Sequence, residues 1–303
     1  MNENLQKLST EQRNPHSLHI DEMETAGILA VINQEDKQVP DAVEAVIPQI
    51  TQLVDEAHKR MMKGGRIFYI GAGTSGRLGV LDASECPPTY GVDPDLVKGL
   101  IAGGLPALLT AQEGAEDSLE LAEADLKNEN LTAADTVIGL AASGRTPYVI
   151  GGLFYARRIG AYTGAVSCVN GAEISRCADT AIEVMTGPEV VTGSTRMKAG
   201  TAQKLILNMI STSLMIKYGK VYQNLMVDVQ PTNEKLVLRA GRIIADAAGC
   251  SPEEAAAYLK QSNYQVKIAI CMAVSGLTRE ECETALISNQ GNISKTIREM
   301  KTS

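Results

Sequence analysis

The chain has 303 residues, 44% of them apolar and 21% charged, which suits one large globular domain or two smaller ones. A formal net charge of -8 argues against a nucleic-acid surface, which needs a basic patch, and no stretch is long and apolar enough for a transmembrane helix. The only three histidines, His16, His19 and His58, read as surface residues, so proton transfer falls to Glu, Asp, Lys, Tyr or Cys and no metal site is expected.

Residues 1–20 read as an extended polar arm. The opening "MNENLQKLSTEQRN" lacks the apolar centre of a signal peptide. Six scattered cysteines without a CxxC pair suit reduced thiols, so a cytoplasmic location is expected. A helix is predicted from Asp21, with acids in its first turn. A second follows Pro40, where Val43, Val46, Ile47, Ile50, Val54 and Ala57 recur at helical spacing, and it ends at Gly64-Gly65. Then short apolar runs alternate with helical ones. "RIFYIG", "LVKGLIAG", "DTVIGLAA", "YTGAVSCV" and "TAIEVM" read as strands, and "SGRLGVLDASEC", "EDSLELAEADLKNE" and "PYVIGGLFYARRIG" as helices. A long helix is predicted over 194–218, and everything after Pro231 is helical, with capping boxes at Ser251 and Thr278. The fold class expected is α/β: a three-layer sandwich with a mostly parallel, doubly wound sheet. Residues 1–60 form an arm and helices packing on the core, 61–230 the α/β domain, and 231–303 a small helical bundle.

The stretch "IGAGTSGR" carries Gly71, Gly73 and Gly76 as G-x-G-x-x-G after a strand, the pattern of a dinucleotide loop. Such a site also needs an acid at the end of the second strand. Here that strand ends in Ala102-Gly103-Gly104, and Asp93 and Asp95 lie at its wrong end. The loop instead carries Thr74 and Ser75, and hydroxyls with free amides at a helix N-terminus suit a phosphate monoester. A second such loop, Ser143-Gly144-Arg145-Thr146, follows the third strand. A third turn, "TGSTRMKAGT", precedes the long helix and offers Ser194, Arg196 and Lys198. One such turn alone is a helix cap; two after odd-numbered strands make a sugar-phosphate pocket. Arg77 reads as an exposed or salt-bridged arginine.

These motifs resemble the sugar isomerase (SIS) domain, a flavodoxin-like fold that binds phosphosugars. The run "GPEVVTGSTRMKAGTAQK" is similar to the signature shared by N-acetylmuramic acid 6-phosphate etherases and the glucokinase regulatory protein. "LDASECPPTYG" and "QEGAEDS" match the etherase branch, and the similarity spans essentially the whole chain. The resemblance implies removal of D-lactate from N-acetylmuramic acid 6-phosphate in cell-wall sugar recycling, by a homodimer without metal or organic cofactor. It implies Glu85 as the acid toward lactate and Glu116 as the base at C2, with Thr74, Ser75, Gly76, Ser143, Gly144, Arg145, Thr146, Ser194 and Lys198 binding substrate. No nucleic-acid or membrane partner is expected. Glu113, Glu116, Asp117 and Glu120 are read as one helix face, and Glu85 as projecting from an irregular turn where Pro87-Pro88 stop the helix. An aldose–ketose isomerase, a non-catalytic sugar-phosphate sensor and a nicotinamide oxidoreductase are the competing readings. The signature argues against the first, the two glutamates against the second, and the missing ribose acid against the third.

Overall fold

The computed structural model describes residues 9–229, 231 and 233–300; the start of the predicted arm lies outside them. The chain divides into two compact units. One holds Met1–Ser84 with Asp95–Ser211, the other Glu85–Pro94 with Thr212–Ser303.

In the first unit the arm is not extended. It turns through short 3-10 segments at Ser9–Glu11, Pro15–Ser17 and Ile20–Glu22 before α1 (Thr25–Asp36) begins. The helix expected from Asp21 starts later because Met23 and Glu24 are extended, with ψ of 146° and 153°. The helix expected after Pro40 is two, α2 (Val39–Glu44) and α3 (Ile47–Met61). Pro48 has no N–H to continue the ladder and instead sits in the first turn of α3. The apolar spacing of α3 does what it promised: Ile50, Leu53, Val54, Ala57 and Met61 are all buried.

Five parallel strands follow: β1 (Ile67–Gly71), β2 (Val97–Ile101), β3 (Thr136–Leu140), β4 (Tyr162–Ser167) and β5 (Thr180–Glu183). Between them run α4 (Gly73–Tyr90), α5 (Leu121–Asn128), α6 (Pro147–Ile159) and α7 (Glu173–Arg176), and α8 (Lys198–Lys217) comes last. The sheet order is β2-β1-β3-β4-β5, all parallel, which is the flavodoxin-like doubly wound order. One face carries Phe68, Ile70, Val137 and Ala165 into a core with Leu126 of α5, Leu153 of α6 and Ile174 of α7. The opposite face meets α3 and α4: Gly164 lies against Leu53, and Gly79 against Tyr69 and Leu140. The result is the expected three layers.

The second unit contains the small antiparallel hairpin β6 (Val221–Tyr222) and β7 (Leu225–Met226), then α9 (Glu234–Ala248), α10 (Pro252–Gln261), α11 (Val266–Ser275), α12 (Arg279–Ser288) and α13 (Ile293–Met300). Ile244, Leu259, Ile270, Cys282 and Ile293 share its core. Both predicted capping boxes are present, Ser251 with Glu254 and Thr278 with Glu281. The two helical hairpins are an internal repeat. Ser251 matches Thr278, Leu259 matches Leu286, Tyr264 matches Gly291 and Ile270 matches Ile297, at one constant offset. In each, the turn closes with the same bond, Tyr264 N–H to Leu259 C=O and Gly291 N–H to Leu286 C=O, both 2.8 Å. Tyr264 therefore holds the left-handed φ of +62° that its counterpart Gly291 adopts freely at +75°. A cavity of about 510 Å³, with Tyr264, Lys267 and Ile287 in its wall, lies here and contains none of the predicted site residues.

Candidate active site

β1 and β3 are direct neighbours, with Gly71 paired to Leu140, so the loops that follow them sit side by side at the carboxyl edge. The strand order reverses at this point, and ligands bind at such a switch in open α/β sheets. Close approach fixes the glycines. A Cβ on Gly76 would lie 2.6 Å from Gly71 O, and one on Gly144, at φ +71°, 2.4 Å from Ala172 Cβ. The first turn of α4 thus presses directly onto the end of β1, leaving its leading N–H groups open.

The hydroxyls separate into two kinds. Thr74, Ser143 and Thr146 are half-buried, and their hydroxyls have no hydrogen-bond partner among the described residues. Thr146 occupies the N-cap of α6 without its side chain bonding to it, so capping does not account for its hydroxyl. Arg145 is half-buried and makes no ion pair among the described residues. Ser75, in contrast, is 8% exposed and lies 2.8 Å from Gln203 Oε1 of α8. Gly200 of α8 faces the Thr74 methyl, so α8 packs against the same loop. Seven residues along α4, Asp82 accepts bonds from Asn208 and Ser211 of α8. Burial pushes the Asp82 carboxyl up, and the bonds from Asn208, Ser211 and Tyr69 only partly oppose it.

The third turn ends later than the sequence suggests, and α8 begins at Lys198. The buried Glu189 carboxylate accepts the Lys198 N–H at 3.0 Å and the Ala199 N–H at 2.9 Å, which defines that start. Ser194 is half-buried in the turn and Arg196 exposed. Lys198, expected to face substrate, turns its Nζ to Glu35 of α1 at 2.5 Å, with both side chains almost wholly buried. Glu35 also accepts from Asn14 (2.8 Å) and bonds the His16 ring (2.7 Å). Burial alone would raise the Glu35 carboxyl, but Lys198, His16 and Asn14 outweigh it and hold it at about 2. Asn14 also donates to Pro188 O and Ser17 to Val190 O, so the arm grips the carbonyls on either side of Glu189.

Both candidate catalytic carboxylates are exposed. Glu116 belongs to the 3-10 turn Ala115–Asp117, and α5 starts only at Leu121, whose N–H bonds Ser118 Oγ. The acids at 113, 116, 117 and 120 therefore do not share a helix face. Arg77 is not free and makes no salt bridge among the described residues: it donates to the Leu108 and Ala107 carbonyls, tying the segment that leads to Glu116 to the first turn of α4. Glu85 is not on an irregular turn. α4 runs through Pro87 and Pro88 to Tyr90, and Glu85 is exposed on it. Prolines near a helix end lose few bonds, and Gly91 N–H still closes the helix on Pro87 O at 2.9 Å. Among the described residues, no group of three His, Cys, Asp or Glu side chains is placed to hold a metal ion, and no helix is long and apolar enough to cross a membrane. All six cysteines are free, and burial pushes the Cys168 thiol up to about 12.

Residues 47–157 match the N-terminal SIS domain of glucokinase regulatory protein, and residues 223–269 match its C-terminal lid domain. An N-acetylmuramic acid 6-phosphate etherase of Clostridium botulinum (strain Eklund 17B / Type B) is 62% identical, over 97% of this chain and 98% of its own. The chain belongs to the N-acetylmuramic acid 6-phosphate etherase family. A family member from Exiguobacterium sp. (strain ATCC BAA-1283 / AT1b) is 61% identical over 91% of this chain and 94% of its own. Among solved structures, the E. coli CFT073 protein c3406 superposes with a TM-score of 0.50 at 16% identity, over 67% of this chain and 97% of that one, a likeness of fold. Within the etherase sequence, Gln203, Glu35, Glu189 and Asp82 escaped the sequence reading. Each is a polar residue on or beside a helix; for Gln203, Glu35 and Asp82 the partner lies far along the chain, and for Glu189 it is the backbone at the start of α8.

Proposed function

We propose that the chain cleaves the D-lactyl ether of N-acetylmuramic acid 6-phosphate, giving N-acetylglucosamine 6-phosphate and D-lactate, in cell-wall sugar recycling. The observation that carries this reading is the pair of adjoining loops after β1 and β3, where the Thr74, Ser143 and Thr146 hydroxyls and the Arg145 guanidinium have no partner among the described residues. In the proposal the phosphate sits on the leading amides of α4, those of Gly73, Thr74 and Ser75, with Gly76, whose N–H is taken by Ala72 O, packed behind them on the end of β1 and Ser75, Gly144 and Ser194 completing the cradle. Lys198 acts indirectly, by placing the start of α8. Anchoring the phosphate orients C2 and C3 for reaction.

In the open-chain sugar the C1 aldehyde acidifies the C2 proton, and the ether oxygen on C3 is the leaving group. Glu116 as carboxylate takes the C2 proton while protonated Glu85 gives its proton to the departing lactate oxygen. The C3–O bond breaks and a C2=C3 double bond forms. Water then adds at C3, giving its proton to Glu85, and Glu116 returns a proton to C2. Both carboxyls end as they began, and no net redox change occurs, so the scheme requires no cofactor.

Helix geometry bears on the partner. Gly73 and Glu85 lie on one continuous helix, and twelve residues of helix rise about 18 Å. The five bonds from phosphorus to C3 span roughly 7 Å, and a glutamate side chain does not close the difference. We therefore assign the acid at each pocket to Glu85 of the partner subunit in a homodimer, while Glu116 comes from the chain that holds the phosphate. Free cysteines suit a cytoplasmic enzyme. The purified chain is expected to release D-lactate from N-acetylmuramic acid 6-phosphate with nothing added; absence of lactate overturns the proposal.

A further inference from the structure

Ser75 and Gln203 meet at the junction of the β1–α4 loop with α8, and their bond leaves a defect. With Ser75 Oγ donating to Gln203 Oε1 at 2.8 Å, the Gln203 amide nitrogen has no acceptor among the described residues, although Gln203 is 1% exposed. Two N–H groups are then buried and unpaired, one of the more costly arrangements a core can contain. Half a turn about the last bond of the side chain exchanges the amide oxygen and nitrogen without moving anything else. Nε2 then donates one of its two hydrogens to Ser75 Oγ, so one N–H and the carbonyl oxygen remain unpaired in place of two N–H groups, the milder defect. The exchange also changes what Ser75 does. Its oxygen is now an acceptor from Gln203, and its hydrogen is free for a third group.

The third group is set by place. Ser75 stands in the first turn of α4, beside the leading amides of the helix and the Thr74 hydroxyl, which has no partner among the described residues. An oxyanion here meets the leading N–H groups of the helix and hydroxyls that can turn to donate. We infer that Gln203 is a positioning residue of the phosphate pocket: its amide holds Ser75 Oγ as acceptor, so that the Ser75 hydrogen points to a phosphoryl oxygen of the sugar phosphate. The amide is fixed in turn by α8, whose start is capped by Glu189 and braced by Lys198. Gln203 does not touch substrate. It decides which way a hydroxyl that does touch substrate donates, and it favours an oxyanion over a hydroxyl at that point. This inference rests on the reading of the β1–α4 loop as the phosphate cradle.

The test compares Gln203→Glu, Gln203→Met and Ser75→Ala in the full chain, reading KM and kcat for the phosphosugar and the inhibition constant of inorganic phosphate. A carboxylate at 203 has the same shape but only accepts, so it draws the Ser75 hydrogen away from phosphate. Gln203→Glu is expected to raise KM and the phosphate inhibition constant about ten-fold or more, with kcat within about two-fold. Gln203→Met, which adds no charge and keeps the volume, is expected to raise both about three-fold. Adding either change to Ser75→Ala is expected to move the constants by less than about two-fold, because both act through the same hydroxyl. If Gln203→Glu weakens phosphate as much in the Ser75→Ala background as in the parent, its effect is plain charge repulsion and the inference is overturned. A Gln203→Glu variant with unchanged constants overturns it too, while Ser75→Ala still weakening phosphate would leave the cradle standing. If Ser75→Ala itself leaves phosphate inhibition unchanged, the cradle reading fails and this inference with it.

Discussion

Glu116 stands in a single 3-10 turn behind Gly114, which holds a left-handed φ of +75°, and Arg77 holds the segment before it through two backbone carbonyls. A carboxylate placed this way, exposed and on a tethered loop, can approach a bound sugar without helix backbone in between. If it is the base, Glu116→Gln removes proton abstraction and nothing else. Exchange of the C2 proton of substrate with deuterated water, followed by NMR, is then expected to fall by roughly 10²–10⁴-fold. Exchange at the original rate would remove Glu116 from that role. At this scale the sequence was informative about type and poor about setting. The placement of Thr74, Ser143, Arg145 and Thr146 in turns that follow strands was legible because glycine-punctuated turns after strands announce themselves. The burial of Lys198 was not, because its partner Glu35 is far along the chain and nothing local distinguishes a lysine facing solvent from one facing a carboxylate.

Among the elements, α8 depends most on residues outside itself. Its first two amides are capped by Glu189, its first side chain is paired with Glu35 of α1, and the arm clasps the carbonyls of Pro188 and Val190. Nothing local announces this clasp, since Asn14, His16 and Ser17 lie in a polar stretch that reads as solvated. The sequence reading also stopped α4 too early: the Pro87-Pro88 pair is a sound stop signal in a helix interior, but here it lies in the last turn. The β-α alternation, in contrast, was legible throughout, because buried parallel strands are short apolar runs and their crossovers are longer amphipathic ones. The clasp has a pH signature. The Glu35 carboxyl is held at about 2, below its ordinary value of 4.5. Its contribution is therefore complete above about pH 4.5 and is lost as pH falls toward 2. Lys198→Met leaves that charge buried with less support, and thermal melts are expected to show a loss of about 3 kcal/mol at neutral pH. The gap between the variant and the parent is expected to narrow as pH falls through the carboxylate range toward 2, as Glu35 is protonated first in the variant and then in the parent. A gap independent of pH would show that packing, not the ion pair, sets the cost.

At the scale of the whole molecule, the proposed sharing of the site between two copies is tested by subunit mixing. Glu85→Gln and Glu116→Gln chains, each inactive alone, are unfolded, combined in equal amounts and refolded. Half of the dimers are then mixed, and each mixed dimer restores one of its two sites, so about a quarter of the parental rate is expected. A mixture as inactive as its parts would place both glutamates in one chain. The chemistry itself has a more direct test: D-lactate release from N-acetylmuramic acid 6-phosphate in ¹⁸O-labelled water. Elimination and re-addition predict the label on C3 of N-acetylglucosamine 6-phosphate and none in the lactate; label in the lactate would mean attack on the lactyl carbon and would contradict the account.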